Sequence, residues 1–329
     1  MVMAELKKIS YGKMNRFVLF LKMLGGVSNN AIGRLVRDFP SDGFDVYDRV
    51  VLDSFMEKAT EANRRDRREA FDFSRIERSQ VDEALEKCKR CEEMLKAANA
   101  GYCTRFDDIY PWRVRDSKYL CLSGGKMLKD VMPNILYFKG KFDTMFFSVK
   151  SCAIVGAKQC SEYAAQVGRK VSSLAVSKGY AIIGGLMPGC ETAGHEGCLQ
   201  AGGRAIAVLA SGIDNVCPPQ DASLAERIVA NGGLLLSEQR PGTSLTPFSL
   251  IKRNRVQALL SDKVIVLQSS IKGEAMNIAR SAHEFGKQVY VLDPKAFGAG
   301  DDAAGNVELV SKSAARKFTL DDASCIFAE

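Results

Sequence analysis

The second half of the chain alternates short apolar runs with longer stretches of helical periodicity. The runs lack polar alternation, which is typical of strands that are covered on both faces of a sheet. Their order predicts an α/β fold with a doubly wound, mostly parallel sheet, in which ligands bind at the carboxyl ends of the strands. The predicted strands are Cys152–Val155, Tyr180–Ile183, Ala205–Leu209, Gly233–Leu236, Val264–Leu267 and Val289–Leu292.

The first part of the chain shows the periodicity of helices. Residues Met14 to Phe39 predict a helical hairpin with a glycine-containing turn, and Val81 to Ala98 predict a polar helix. We therefore predict an all-α domain over residues 1–78 and an α/β domain over residues 79–329. The apolar stretch Phe17 to Leu24 resembles a signal peptide only weakly, because Lys22 interrupts it. We expect a cytoplasmic protein that does not contact membranes.

Charge and cysteine content narrow the class of protein. The formal net charge is +7, and the segment from Arg240 to Tyr290 contains eight Lys or Arg against three Asp or Glu. A basic central segment favours an anionic partner. The ten cysteines do not indicate a disulfide scaffold in a chain of this length, and we expect reduced, packed thiols. Cys88-x-x-Cys91 could belong to a zinc site, but no second close pair follows it, so we predict no metal.

Two glycine-containing turns and one basic segment follow predicted strands. The turns are Gly156-Ala157-Lys158 and Gly184-Gly185-Leu186-Met187-Pro188-Gly189, where the backbone could approach an anion near a helix N-terminus. Glycines at such turns are also common for purely structural reasons. The basic segment runs from Arg240 to Arg255 and includes Lys252-Arg253-Asn254-Arg255. No acidic residue lies close in sequence to the four residues from Lys252 to Arg255, so we expect an external anion, with phosphate as the first candidate.

The sequence shows no catalytic arrangement and indicates no cofactor. Gly156 is not followed by the glycines of a dinucleotide fingerprint, and no Walker A sequence is present. His195 and His283 lie in helical stretches without a neighbouring nucleophile or metal-ligand spacing, so we predict structural histidines. These observations favour a binding protein over an enzyme.

Several segments in the same order resemble the DNA-processing protein A (DprA/Smf) family. The resemblance covers the chain from about Ala98 onward. It is carried by Cys152–Lys158, Gly184–Glu191, Ala193–Gly197, Gly203–Leu209 with Gly212-Ile213-Asp214, Leu236-Ser237-Glu238 with Pro241-Gly242, Arg253-Asn254-Arg255, Pro133–Gly140 and Gly305-Asn306.

The resemblance implies an extended Rossmann-like domain that binds single-stranded DNA and assists loading of a RecA-type recombinase, without catalysis and as a homodimer. The small helical region resembles the sterile-alpha-motif-like domain often found before it. Carried over to this chain, the implied DNA-binding residues are Gly156, Lys158, Gly184, Gly185, Gly189, Arg240, Lys252, Arg253, Asn254, Arg255 and Lys272. We expect a divergent member without the winged-helix domain that many members carry at the C-terminus.

The chain departs from the family pattern at three places. Lys158 replaces an arginine, and Leu250-Ile251 replaces an aromatic-proline pair that could stack on bases. Glu274 lies in a segment where the family has hydroxyl residues, and its carboxylate would repel phosphate unless it faces away. Weakened or altered DNA binding is therefore part of the prediction.

Two other functions stay open at this level. One is a nucleotide-binding sensor or an enzyme like the nucleotide phosphoribohydrolases, although no glutamate follows Pro241-Gly242-Thr243-Ser244 at the spacing that those enzymes use. The other is an interaction scaffold without DNA affinity. If the basic segment binds DNA from the surface, replacing Lys252, Arg253 and Arg255 by glutamate should abolish binding and leave the fold intact.

Overall fold

The structure is a computed structural model that describes residues 12–38, 44–66, 71–107, 109–111, 133–142, 149–298 and 302–328. The chain divides into two compact units. The first comprises residues 1–110 and 128–136, and the second comprises residues 111–127 and 137–329.

Helices form most of the first unit. Its described elements are α1 (Lys13–Leu24), α2 (Asn29–Asp38), α3 (Arg49–Asp66), α4 (Arg78–Ala97) and strand β1 (Ala100–Thr104). The first two helices confirm the predicted hairpin, and α1 buries consecutive side chains from Phe17 to Leu21. Helix α4 lies in this unit, whereas the predicted boundary at residue 78 places it in the second domain. The domain boundary at residue 78 therefore stays a prediction.

The second unit alternates strands and helices. Its strands are β2 (Ile135–Gly140, which begins in the first unit), β3 (Ser151–Val155), β4 (Ala181–Gly184), β5 (Ala205–Leu209), β6 (Leu234–Ser237), β7 (Lys263–Val266), β8 (Gln288–Leu292) and β9 (Arg316–Phe318). Its helices are α5 (Glu162–Ser177), α6 (Cys190–Gln200), α7 (Ala222–Ala230), α8 (Pro247–Leu260), α9 (Glu274–Glu284) and α10 (Ala304–Ser311). All six predicted strands are present, each within one residue of its predicted limits.

The described strands form one sheet in the order β1-β2-β6-β5-β4-β3-β7-β8-β9. Every pairing from β6 to β9 is parallel, whereas β2 runs antiparallel to β6. The chain proceeds in one direction from β3 to β6 and then crosses to β7 on the other side of β3. This reversal creates a topological switch point between β3 and β7, where ligands bind in open α/β sheets. The predicted fold class is confirmed.

Hydrophobic burial explains why the strands lie at the centre of the second unit. The side chains of β3 and β5 are buried along their whole lengths, and β7 is buried from Val264 onward.

Nine cysteines in the described residues are free thiols. Within the same residues no cluster of three or more His, Cys, Asp or Glu could hold a metal. No described helix combines the length and hydropathy that a membrane span requires.

Candidate functional site

A cavity of about 290 Å³ lies at the switch point between β3 and β7. It is formed by the turn after β3, the loop after β7 and the first turns of helices α6 and α9. The residues that line it are Gly156, Ala157, Lys158, Met187, Glu191, Ser269, Ser270, Lys272, Gly273, Glu274, Ala275 and Ile278. Three of the predicted site residues, Gly156, Lys158 and Lys272, are therefore brought together.

Glycines hold the loops of the cavity at backbone-to-backbone distance. A Cβ on Gly156 would overlap the Cys190 side chain and lie 2.9 Å from the Gln268 carbonyl oxygen. Gly189 has φ 83°, and a Cβ there would overlap the carbonyl oxygens of Ala157 and Lys158. Gly189 is required for both its positive φ and this contact, whereas Gly156 is required for the close contact alone. Together these two positions fix the turn after β3 against the start of α6.

Buried amides hold the loop after β7. The backbone N–H of Ala157 donates to the Gln268 carbonyl at 2.7 Å, and the Gln268 side-chain oxygen accepts from Ser161 N–H at 2.8 Å. Asn306 accepts from Ser269 N–H at 2.9 Å and donates to the carbonyls of Leu267 and Leu292. Asn306 thus ties the ends of β7 and β8 to the cavity loop. The family resemblance marked this asparagine, but only the structure shows its role.

Arg253 lies beneath the cavity and has internal partners. Its side chain is 2% exposed, and its Nη1 lies 3.2 Å from Glu191 Oε2 while its Nη2 lies 3.0 Å from Glu274 Oε2. The expectation that this cation lacks an internal anion is therefore wrong. Sequence distance hid the partners, because Glu191 precedes Arg253 by 62 residues. Arg253→Glu would place a third carboxylate beside Glu191 and Glu274, so we now expect this substitution to destabilise the fold.

The two partners of Arg253 lie where the sequence predicted an external anion. Glu191 and Glu274 are in the first turns of α6 and α9, and a helix N-terminus stabilises negative charge. Glu191 is 5% exposed on its side chain and also accepts from Gln257 Nε2 at 3.0 Å. The first N–H of α6 donates to the Ala157 carbonyl. This N-terminus is therefore occupied by groups of the chain itself.

Two lysines of the cavity reach solvent. Lys158 is 48% exposed on its side chain, and its Nζ lies 2.7 Å from Glu274 Oε1. Lys272 is exposed on the loop after β7. Glu274 thus lines the cavity and bridges Lys158 to Arg253. Its carboxylate therefore does not turn away from the candidate phosphate site. Within the cavity lining, Lys158 and Lys272 are the predicted cations that an anion could reach from solvent.

The turn after β4 packs on the Arg253 ion pair. Gly184 and Gly185 are buried, and a Cβ on Gly185 would lie 2.7 Å from both the Arg253 Cζ and the Glu191 Oε2. The Gly185 carbonyl lies 2.8 Å from His195 Nε2. Burial lowers the pKa of His195, so the ring is neutral and donates to that carbonyl. His195 is fully buried at this contact, and its structural role stays a prediction.

One face of α8 presents an aromatic ring and two cations. Phe248 is 66% exposed and Ile251 is 60% exposed. Lys252 Nζ lies 4.7 Å from the centroid of the Phe248 ring. Arg255, one turn further, pairs with Glu238 at 2.5 Å. The exposed Phe248 was not predicted from the sequence, although residues three or four positions apart on a helix share a face.

Arg240 and Asn254 are also outside the cavity lining. Arg240 is exposed in the turn that precedes α8, where its carbonyl accepts from Thr243 N–H at 3.1 Å. Asn254 is 2% exposed within α8. For Arg240, as for Lys252 and Arg255, DNA contact stays a prediction.

The family model described as "DNA recombination-mediator protein A" matches residues 102–326. Protein Smf of Synechocystis is 35% identical over 162 residues, which are 49% of this chain and 40% of that protein. DNA processing protein DprA of Streptococcus pneumoniae is 32% identical over 186 residues, or 56% of this chain and 60% of that protein. The chain thus spans about half the length of these curated relatives.

Two solved structures are similar to this chain. The X-ray structure of DNA processing protein A from S. pneumoniae has a TM-score of 0.67 at 21% identity and covers 96% of this chain and 98% of that one. DNA processing protein A from Helicobacter pylori, solved in a study of its single-stranded DNA binding mode, has a TM-score of 0.53 at 26% identity. It covers 59% of this chain and 87% of its own. With the family match over residues 102–326, the chain belongs to the DNA recombination-mediator protein A family, as the resemblance implied.

Proposed function

We propose that this protein binds single-stranded DNA through the switch-point cavity and the exposed face of α8, and assists loading of a RecA-type recombinase. The observation that carries the proposal is the position of Lys158 and Lys272 in one cavity at the carboxyl ends of β3 and β7. Family membership supports it, as does the single-stranded DNA binding named for the H. pylori relative.

The side chains of the site favour binding to the phosphates of a DNA backbone over recognition of a particular base sequence. Lysine side chains attract phosphate as point charges and impose no sequence preference. Phe248 adds an exposed ring on which a base can stack, and Lys252 lies within cation-π distance of that ring. Together, the exposed lysines and the ring combine the charge and the stacking surface that single-strand binding uses.

We infer that the protein acts by binding rather than by catalysis. Both carboxylates that line the cavity are ion-paired with Arg253, which disfavours their use as a general base. Release of free base from nucleoside monophosphates would identify the phosphoribohydrolase-like alternative instead. We expect no release above that of a buffer control.

Oligonucleotide titration tests the proposal. Fluorescence anisotropy would compare a labelled oligo-dT strand with a duplex of equal length at several salt concentrations. We expect tighter binding of the single strand and an affinity that falls with salt, with a slope of about −0.7 for each phosphate neutralised. Equal affinity for strand and duplex, or affinity that is independent of salt, would contradict the proposal.

The partner and the assembly need separate assays. We expect the protein to be a homodimer by sedimentation analysis, and to speed assembly of a RecA-type recombinase on single strands coated with a single-strand binding protein. Unchanged assembly kinetics at saturating protein would refute recombinase loading while leaving DNA binding intact.

A further inference from the structure

Glu274 occupies a position that a phosphate group would suit. Its carboxylate contacts two cations at once, with Oε1 2.7 Å from Lys158 Nζ and Oε2 3.0 Å from Arg253 Nη2. It is the first residue of α9 and lines the cavity, so it also lies at a helix N-terminus. Two cations and a helix N-terminus are the groups that bind phosphate in proteins.

Exposure decides which of the two carboxylates an incoming anion could displace. Glu191 is 5% exposed on its side chain and has a second partner in Gln257. Glu274 is 27% exposed, and its partner Lys158 is 48% exposed. Rotation of the Glu274 side chain towards solvent would free Lys158 and uncover one edge of Arg253. Arg253 would keep Glu191, so no buried charge would be left without a partner.

The charges of this cluster cancel while Glu274 stays in place. Lys158 and Arg253 supply two positive charges, and Glu191 and Glu274 supply two negative ones. An approaching phosphate therefore meets a neutral cluster, to which only Lys272 adds positive charge from the cavity lining. Without the Glu274 charge the same cluster would carry a net charge of +1.

We propose that Glu274 is an internal phosphate mimic, which must leave its contacts with Lys158 and Arg253 before a phosphate group of DNA can enter the cavity. This inference rests on the proposed function for the identity of the ligand. It makes Glu274 an autoinhibitory residue, because its charge lowers the affinity that the cavity would otherwise have. The shared chemistry is a phosphate group, either in a DNA strand or free in solution.

Charge removal tests the inference. Glu274→Gln keeps the size of the side chain and an oxygen acceptor for Arg253. Glu308→Gln is the matched control, because Glu308 is 28% exposed and pairs with Lys312 outside the cavity lining. Each full-length protein would be titrated with labelled oligo-dT by anisotropy and with inorganic phosphate by phosphorus NMR. Glu274→Ser removes the same charge and replaces Glu274→Gln if that variant fails to fold.

We expect Glu274→Gln to bind oligo-dT about tenfold more tightly than the parent, as one extra favourable charge contact allows. Its salt slope should equal that of the parent, because the same phosphate contact forms in both proteins once Glu274 has left Lys158. Inorganic phosphate should also bind more tightly. Glu308→Gln should match the parent in all three measurements.

The two probes separate the inference from the proposed function. If no variant binds oligo-dT but Glu274→Gln gains phosphate affinity, the mimic stands and the proposed DNA binding fails. If Glu274→Gln binds both probes no more tightly than Glu308→Gln does, the inference is overturned, whatever the affinity of the parent for DNA.

Discussion

Replacing Arg253 by methionine tests whether this residue supports the fold. Its guanidinium is 2% exposed and holds Glu191, which is 5% exposed, against Glu274. Methionine removes the charge and leaves the Glu191 carboxylate buried with Gln257 as its remaining side-chain partner. Breaking a buried ion pair from one side costs about 3–5 kcal/mol, because the other charge is left uncompensated. We therefore expect the free energy of unfolding to fall by about that amount.

The second carboxylate adds less to this cost. Glu274 is 27% exposed and keeps Lys158 at 2.7 Å, so water and the lysine compensate for the loss. A double variant, Arg253→Met with Glu191→Gln, removes the stranded charge as well. We expect it to be more stable than Arg253→Met alone, because a neutral amide is far less costly to bury than a carboxylate. That reversal identifies the buried charge, rather than lost packing, as the cause.

Urea unfolding followed by circular dichroism at neutral pH would measure these changes. The control is Arg169→Met, since Arg169 pairs with a Glu162 side chain that is 85% exposed. Such surface pairs contribute about 0–1 kcal/mol. A loss at Arg253 no larger than that at Arg169 would refute the assignment of Arg253 as a structural residue. The basic segment would then have to be reconsidered as a surface for DNA.

Three further predictions concern the surroundings of the cavity. Gly185→Ala should destabilise the protein by about 1–3 kcal/mol in the same assay, because the new Cβ would overlap the Arg253 guanidinium. The control Gly12→Ala should not destabilise it, because a Cβ at Gly12 has no atom within 4 Å. Phe248→Ala should weaken oligo-dT binding by about 1–3 kcal/mol without changing the melting temperature, since its ring is 66% exposed; an equal loss for Val307→Ala would contradict base stacking. Burial lowers the pKa of His195, so at acidic pH the unfolded chain binds a proton that the native state excludes. As the pH decreases from about 6.5, the free energy of unfolding should therefore decrease by up to about 1.4 kcal/mol per pH unit. His195→Gln should remove that component, and an unchanged pH dependence would show that His195 does not cause it.

The sheet was predictable because its strands are buried on both faces. Continuous apolar runs of this length, such as Ala205–Leu209, are typical of strands that are covered on both faces, and β5 is buried along its whole length. Strand β9 is short and exposed at Arg316 and Lys317, so it carries no comparable apolar run. The antiparallel pairing of β2 with β6 depends on contacts that are distant in sequence, and no local pattern encodes them.

The candidate site was predictable only in part, because some of its contacts join residues that are distant in sequence. Lys158 and Lys272 follow strands β3 and β7, and strand order alone brings the ends of adjacent parallel strands together. Arg253 was misread because its partners are Glu191 and Glu274, which belong to two other helices. A buried arginine and an exposed one look alike in sequence, so only packing reveals which cation can meet a ligand.

The central claim is that phosphate groups enter the cavity beside Lys158. The most direct measurement is the salt dependence of oligo-dT binding for Lys158→Gln, compared with Lys87→Gln as the control. The side chain of Lys87 is 44% exposed and that of Lys158 is 48% exposed, and both lysines are ion-paired. We predict that Lys158→Gln weakens binding and makes the salt slope shallower by about 0.7, as the loss of one phosphate contact requires. Lys87→Gln should leave both unchanged. Equal affinities and equal slopes for the two variants would contradict the account.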